Sequence, residues 1–141
     1  LHGILHSFPT RRSSDLESIG KAKEKGYAET LLGRRRFLPN INSKNHLVRQ
    51  FEERVAINMP IQGTAADMIK LAMIKIHNEL KKGNYKTKMV LQVHDELVFD
   101  VPKEEIEEIK QLVKYQMENA FPLNVPVIAE TGIGENWLEA H

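Results

Sequence analysis

Residues 89–101, MVLQVHDELVFDV, constrain this chain more than any other stretch. Two apolar runs, MVLQV and LVFDV, flank His94, Asp95 and Glu96. Each run is too short for a buried helix and is bounded by turn residues, so the pair reads as two strands of a hairpin. Apolar residues on both sides of the turn make the hairpin part of a core. The charged turn then sits on the edge of a rigid platform, where a functional group gains most from fixed geometry.

The rest of the chain supplies helices to cover that hairpin. A short helix is expected over 17–25, broken by Gly26. YAETLLGRRRFLPNI shows two strand-like runs around Gly33 and reads as a second hairpin or irregular ribbon ending at Pro39. From about Asn45, Val48, Phe51, Val55 and Met59 recur with helical period. Pro60 must kink or end that helix, because it lacks an N–H and crowds the preceding turn. A further helix opens with Thr64 and Asp67 in capping-box spacing, carries an apolar stripe through Ile61, Ala65, Ile69, Met73, Ile76 and Leu80, and closes at Gly83-Asn84. Pro102 starts another, with four glutamates early, where the helix dipole favours negative charge. Ile106, Ile109, Val113 and Met117 face its core side, residues 122–133 are extended, and Trp137 is expected to anchor the end. This order predicts an α+β fold, helices packed on a small antiparallel sheet.

Composition narrows the function classes. The 141 residues make one domain or a piece of a larger one, with 41% hydrophobic and 28% charged side chains. The chain has no cysteine, which excludes disulfides and thiolate metal sites, and a reducing compartment is expected. No apolar run approaches the length of a membrane span, and the start lacks a signal-peptide pattern, so a cytoplasmic location is expected. The net charge of +1 hides an asymmetry. Residues 33–54 carry six basic against two acidic side chains, and residues 100–118 six acidic against three basic. The basic half is a possible polyanion footprint; the acidic half is a solvated helix face.

The opening is different in kind. His6–Leu16, HSFPTRRSSDL, reads residue for residue as the translation of a common short-read sequencing adapter. Residues 1–16 are therefore expected to be a non-native tail, and Arg11 and Arg12 are not counted as a nucleic-acid patch.

Three features could carry chemistry. Asp95 and Glu96 at a hairpin tip offer hard oxygen ligands suited to Mg²⁺, which keeps several waters and takes one or two protein carboxylates plus substrate phosphates. Asp and Glu are equally at home as plain turn residues. A zinc hydrolase is disfavoured, because no HExxH occurs and the remaining histidines are scattered. Arg54, Asn58 and Gln62, four apart, can form one polar stripe if the kink at Pro60 preserves their facing. Such a stripe is either a solvated helix face or a set of donors for the N3 and O2 acceptors of the DNA minor groove. Arg34, Arg35 and Arg36 follow the Gly33 turn and could clamp phosphate, a weak signal since such triplets are common on surfaces. TGIGENW holds GxG without a third glycine and reads as a turn.

GYAETLLGRRRFLP, RVAINMPIQGTAAD and LQVHDELVFDVP, in this order and spacing, resemble the C-terminal part of family A DNA polymerases of the bacterial DNA polymerase I type. The resemblance runs from about Gly26 to His141, and the closing GIGENWLEAH is similar to that family's C-terminus. It implies distal fingers over residues 17–53 and C-terminal palm over 54–141. The HDE turn matches motif C of the palm. There Asp95 takes the role of catalytic metal ligand for two Mg²⁺ ions, Glu96 that of the adjacent acidic partner, and His94 touches the primer terminus. Arg54, Asn58 and Gln62 match positions lining the primer–template minor groove, and Arg34, Arg35 and Arg36 belong to the distal fingers.

The implied activity is addition of deoxynucleotides to a primer 3′ end in replication or repair, by a monomer in the cytoplasm of a bacterium, associated with its nucleoid, or encoded by a phage. Its partners are primer–template DNA and deoxynucleoside triphosphates, with no membrane. Motif A with the other principal metal aspartate, motif B with the nucleotide-holding lysine and tyrosine, and the thumb and nuclease regions do not occur in this sequence. The 141-residue chain alone is therefore expected neither to polymerise nor to bind Mg²⁺ tightly. The alternatives are a non-catalytic DNA-binding or interaction module derived from a palm, and one part of a split polymerase.

Overall fold

The computed structural model describes residues 2–4 and 11–141. In chain order the elements are β1 (His2–Ile4), α1 (Arg11–Lys25), β2 (Tyr27–Glu29), β3 (Arg35–Phe37), α2 (His46–Asn58), a π-helical turn (Met59–Gly63), α3 (Thr64–Lys82), β4 (Lys88–Val93), β5 (Glu96–Asp100), a 3₁₀ turn (Lys103–Glu105), α4 (Ile106–Glu118), β6 (Ile128–Glu130) and α5 (Trp137–Ala140). They form two compact units that part between Asp67 and Met68, with β1 joining the second. The non-native tail expected over residues 1–16 falls partly on residues 1 and 5–10, which lie outside the described residues. Within the rest of it, β1 and the first turns of α1 are formed.

The second unit holds the hairpin. Its four-stranded sheet has the order β4-β5-β1-β6, every described pairing antiparallel, as an α+β fold requires. β4 and β5 pair from Lys88↔Asp100 to Val93↔Glu96, with a bulge between Met89 and Leu91. Behind the sheet lie α3 and α4. Ala72, Ile76, Leu80, Leu97, Ile109, Val113, Met117, Ala120 and Ala129 make one buried cluster, and Ile76 is wholly enclosed. The period-3.6 pattern of both helices thus lands on the period-2 pattern of β5. Polar groups tie the corners. Glu105 accepts from the Thr87 hydroxyl at 2.6 Å and from the backbone N–H groups of Lys86 and Thr87 at 2.9 and 3.0 Å. Those bonds, the Thr87 hydroxyl first, hold its carboxyl below the ordinary glutamate range. Lys75 donates to the carbonyls of Asn119 and Ala120, where α4 ends.

The first unit has its own small core of Ala22, Ala28, Leu38, Ile41 and Ala56. α1 begins at Arg11, upstream of the expected Glu17, since no glycine or proline interrupts Arg11–Ile19. It ends at Gly26, whose φ of 76° only glycine adopts freely, and Gly33 at 86° turns the β2–β3 hairpin. Asn45 caps α2 by accepting from the N–H groups of Leu47 and Val48.

α2 differs from expectation in the face it buries. Glu52 and Ala56 are turned inward, whereas Val48 and Phe51 of the apolar period are exposed. The Glu52 carboxylate is taken in because it accepts from the backbone N–H of Asn40 at 2.8 Å and from its side-chain amide at 3.3 Å. Pro60 neither ends the helix nor sharply breaks it. The chain widens into one π turn, which relieves the ring's crowding, and continues directly into α3. Nor do Thr64 and Asp67 form a capping box. The Thr64 hydroxyl donates to the Pro60 carbonyl and accepts from the N–H of Leu31, while Asp67 accepts from Thr30 and Arg34. Asp67 thus serves the hairpin, while Thr64 is shared between the hairpin and the preceding turn of its own helix.

Candidate metal and nucleic-acid site

The hairpin of the second unit closes through only two residues, His94 and Asp95, because Val93 and Glu96 already pair. His94 has φ of 52°, a left-handed conformation uncommon outside glycine, which histidine adopts more often than most side chains. The two carboxylates of the turn differ in burial. Asp95 is exposed, and among the described residues nothing hydrogen-bonds or ion-pairs with it. Glu96, the first residue of β5, is 8% exposed. Its Oε2 accepts from Trp137 Nε1 at 3.4 Å, and its Oε1 lies 3.0 Å from Nδ1 of His141. His94 is exposed, and its carbonyl accepts from the Gln92 amide at 2.6 Å.

No group of three potential metal-ligating side chains occurs among the described residues. Asp95 nonetheless fits a hard divalent cation as one contributor. It is an exposed carboxylate on a turn beside β5, which Leu97 anchors in the core. Val90 and Leu91 of β4, expected inside, are exposed. Mg²⁺ there would take its other ligands from water and phosphate oxygens.

The first unit presents Arg54, Asn58 and Gln62. All three are exposed, and among the described residues none hydrogen-bonds or ion-pairs. In an α-helix a four-residue step advances the azimuth by roughly 40°. The π turn closes at i+5, roughly 4.4 residues per turn, so the step from Asn58 to Gln62 falls back by roughly 30°. In ideal helices the two drifts oppose one another, which would bring Gln62 back close to the azimuth of Arg54. The π turn therefore preserves the facing that a plain proline break would have destroyed. An arginine and two amides are left on one strip with all their donors open.

The arginine triplet is divided. Arg34 donates through Nε to Asp67 at 2.7 Å and through Nη2 to the Gly63 carbonyl at 3.2 Å. Asp67 is buried and also accepts from the buried Thr30 hydroxyl at 2.6 Å. Arg34 is thus a structural strut between the β2–β3 hairpin and the start of α3. Arg35 stacks 4.5 Å over the Tyr27 ring and reaches Glu29 at 3.4 Å. Arg36 alone is exposed with no partner among the described residues. Sequence reasoning missed Thr30, Asp67, Trp137 and His141 as site supports. Asp67 was visible only as a local cap, and the pairing of Glu96 with two residues near the chain's end leaves no local pattern.

The model of DNA polymerase family A matches residues 5–139. DNA polymerase I of Streptococcus pneumoniae serotype 4 is 53% identical over 133 residues, 94% of this chain and 15% of that protein. The thermostable DNA polymerase I of Thermus aquaticus is 47% identical over 134 residues, 95% of this chain and 16% of that protein. A solved structure, the POL domain of Pol1 from M. smegmatis in complex with DNA primer-template and dNTP, superposes with a TM-score of 0.89 at 45% identity. That match covers 92% of this chain and 23% of the other. The chain thus spans less than a fifth of the length of the curated relatives it matches. On the family match across nearly its whole length, the chain belongs to DNA polymerase family A.

Proposed function

We propose that this chain is the part of a DNA-directed DNA polymerase that carries one metal-binding carboxylate and a minor-groove strip, in an enzyme that extends a primer 3′ end. The observation that carries the reading is Asp95, an exposed and unengaged carboxylate on the tip of a hairpin that buried Leu97, with Met89 and Phe99 packed beside it, fixes to the core. Mg²⁺ bound there would stabilise negative charge on phosphate and activate the primer hydroxyl. Asp95 is the side chain to hold it, and Glu96 stands directly behind the turn. His94, exposed beside Asp95, would touch the primer terminus. Arg54, Asn58 and Gln62 would donate to the N3 and O2 acceptors that all base pairs display alike, so a mispair misplaces those acceptors and the 3′ end with them.

The divided triplet refines the polyanion reading. Arg36 is the arm available to phosphate, with Arg35 beside it, while Arg34 is committed to the fold. Residues 17–53 would belong to the distal fingers and 54–141 to the palm. Primer–template DNA and deoxynucleoside triphosphates are the partners, as in the M. smegmatis complex. The parent enzyme acts as a monomer in the cytoplasm, and no described helix is long and apolar enough to cross a membrane.

The test is a chimera in which residues 26–141 replace the corresponding segment of the pneumococcal polymerase. The chimera is expected to incorporate deoxynucleotides, and Asp95→Asn to abolish incorporation while leaving duplex binding nearly intact. Full activity of the Asp95→Asn chimera would refute the assignment. The 141-residue chain by itself is expected to incorporate nothing.

A further inference from the structure

The end of the chain is built to reach Glu96. Asn136 caps α5 by accepting from the N–H of Glu139 at 3.0 Å, and the Glu139 carboxylate accepts from the N–H of Glu135 at 3.0 Å. The turn beneath must lie close. A Cβ on Gly132 would fall 1.7 Å from the Ala140 carbonyl oxygen, and one on Gly134 would fall 2.6 Å from Glu139 Cβ. The GxG of TGIGENW is therefore a steric requirement for folding α5 back on its own approach. Trp137 and His141, four apart, then fall on one face and meet the two oxygens of one carboxylate.

We infer that Trp137 and His141 are positioning residues that grip Glu96, and that Glu96 in turn fixes the His94–Asp95 turn. The inference rests on reading that turn as the metal-bearing edge of a polymerase site. Its physical basis is the strained conformation of His94, which persists only where its surroundings over-determine it. On one side the turn is held by Gln92, which donates to the His94 carbonyl. On the other it is held by Glu96, whose carboxylate is enclosed by the end of the chain. Glu96 is by this account a brace for Asp95 rather than a second free ligand.

The chain has one tryptophan, so its indole signals report this contact alone. In the 141-residue chain, Glu96→Gln and His141→Ala are each expected to move the indole N–H resonance and the His94 and Asp95 amide resonances. Trp137 is 47% exposed. Its release is expected to raise acrylamide quenching about twofold, with far-UV circular dichroism unchanged. His141→Asn, which keeps a nitrogen near the Nδ1 position, is expected to restore the resonances lost in His141→Ala. Unchanged indole and turn resonances in both Glu96→Gln and His141→Ala would overturn the grip.

In the chimera, Trp137→Phe and His141→Ala are expected to lower kcat about tenfold with KM for nucleotide and duplex affinity unchanged. A kcat equal to the parent chimera's in both variants would overturn the positioning role. A chimera that incorporates nothing, beside a chain whose indole still responds to Glu96→Gln, would instead refute the polymerase reading and leave the grip standing.

Discussion

Adding one methyl group at Gly63 tests how tightly the hairpin of the first unit is held against the π turn. A Cβ there would lie 2.7 Å from Thr30 Cγ2 and 3.0 Å from Met59 Sδ. Met59 can swing its flexible end away, but Thr30 cannot turn freely. Its hydroxyl donates to Asp67 at 2.6 Å and accepts from the N–H of Arg34 at 3.2 Å. Two effects of opposite sign compete. Replacing a helical glycine by alanine favours folding by about 1 kcal/mol. Overpacking disfavours it by about 1–3 kcal/mol. If the methyl also pries Thr30 from Asp67, the lost buried hydrogen bond adds about 1–3 kcal/mol.

The net expectation for Gly63→Ala is a destabilisation of up to about 2 kcal/mol, or about 1–5 kcal/mol if Thr30 also leaves Asp67, read as a lower urea midpoint by far-UV circular dichroism. Thr30→Ser removes the clashing methyl and keeps the hydroxyl. The double variant Gly63→Ala/Thr30→Ser is therefore expected to recover most of the loss, with a coupling energy of about 1 kcal/mol or more. A raised midpoint in Gly63→Ala, or additive effects in the double variant, would refute the reasoning.

Other perturbations separate the roles of neighbouring side chains. Asp67→Asn leaves Arg34 without its carboxylate and is expected to lower stability by about 1–3 kcal/mol in the same urea assay, whereas Arg36→Ala is expected to change it by no more than about 0.5 kcal/mol. Arg36→Ala in the chimera is instead expected to weaken duplex binding and flatten its salt dependence, measured by fluorescence anisotropy against salt. Glu105 is held below the ordinary glutamate range when folded, chiefly by the Thr87 hydroxyl, so its contribution is complete above that range. That contribution is lost as pH falls through the lowered folded value, and Glu105→Gln is expected to flatten the acid limb of a plot of urea midpoint against pH. Gln62→Ala in the chimera is expected to impair extension from mispaired ends more than from paired ends in primer-extension assays.

The parts of the fold that were legible in the sequence are those in which one local signal decides. LQVHDELVFDV could only be a hairpin, and Gly26, Gly33 and Asn45 mark their turns and cap by conformational need. Of the apolar stripes of α3 and α4, Ile69, Met73, Ile76, Leu80, Ile109, Val113 and Met117 landed on the core, whereas Ile61 is exposed and Ala65 and Ile106 are only half-buried outside it. What escaped is what is settled over long separations. Thr64 and Asp67 carry the spacing of a local cap, but Asp67 accepts from residues more than thirty positions earlier and Thr64 divides its hydroxyl between the Pro60 carbonyl and the distant N–H of Leu31. The apolar period of α2 gave no hint that Glu52 would be the side chain turned inward, because its partner Asn40 lies across a loop. Pro60 announced a disturbance without saying which kind, and only the π turn shows why Arg54, Asn58 and Gln62 stay on one strip. Asp95 and Glu96 looked equivalent in the sequence; a two-residue loop made one a solvent-facing acid and the other a buried brace.

The bulge at Val90 has a consequence for how this hairpin aims its tip. Alternation along a strand is a phase, and a single inserted or deleted residue normally inverts it over the whole length of the ribbon. Here Val90 is the one residue of β4 without an opposite number, sitting between the Met89↔Phe99 and Leu91↔Val98 pairs. On the tip side, through Val93↔Glu96, the ladder runs one residue out of phase with the side of Lys88 and Met89. The strand bends and twists more strongly at that point, so the two residues nearest the acid are aimed by the bulge as well as by the turn.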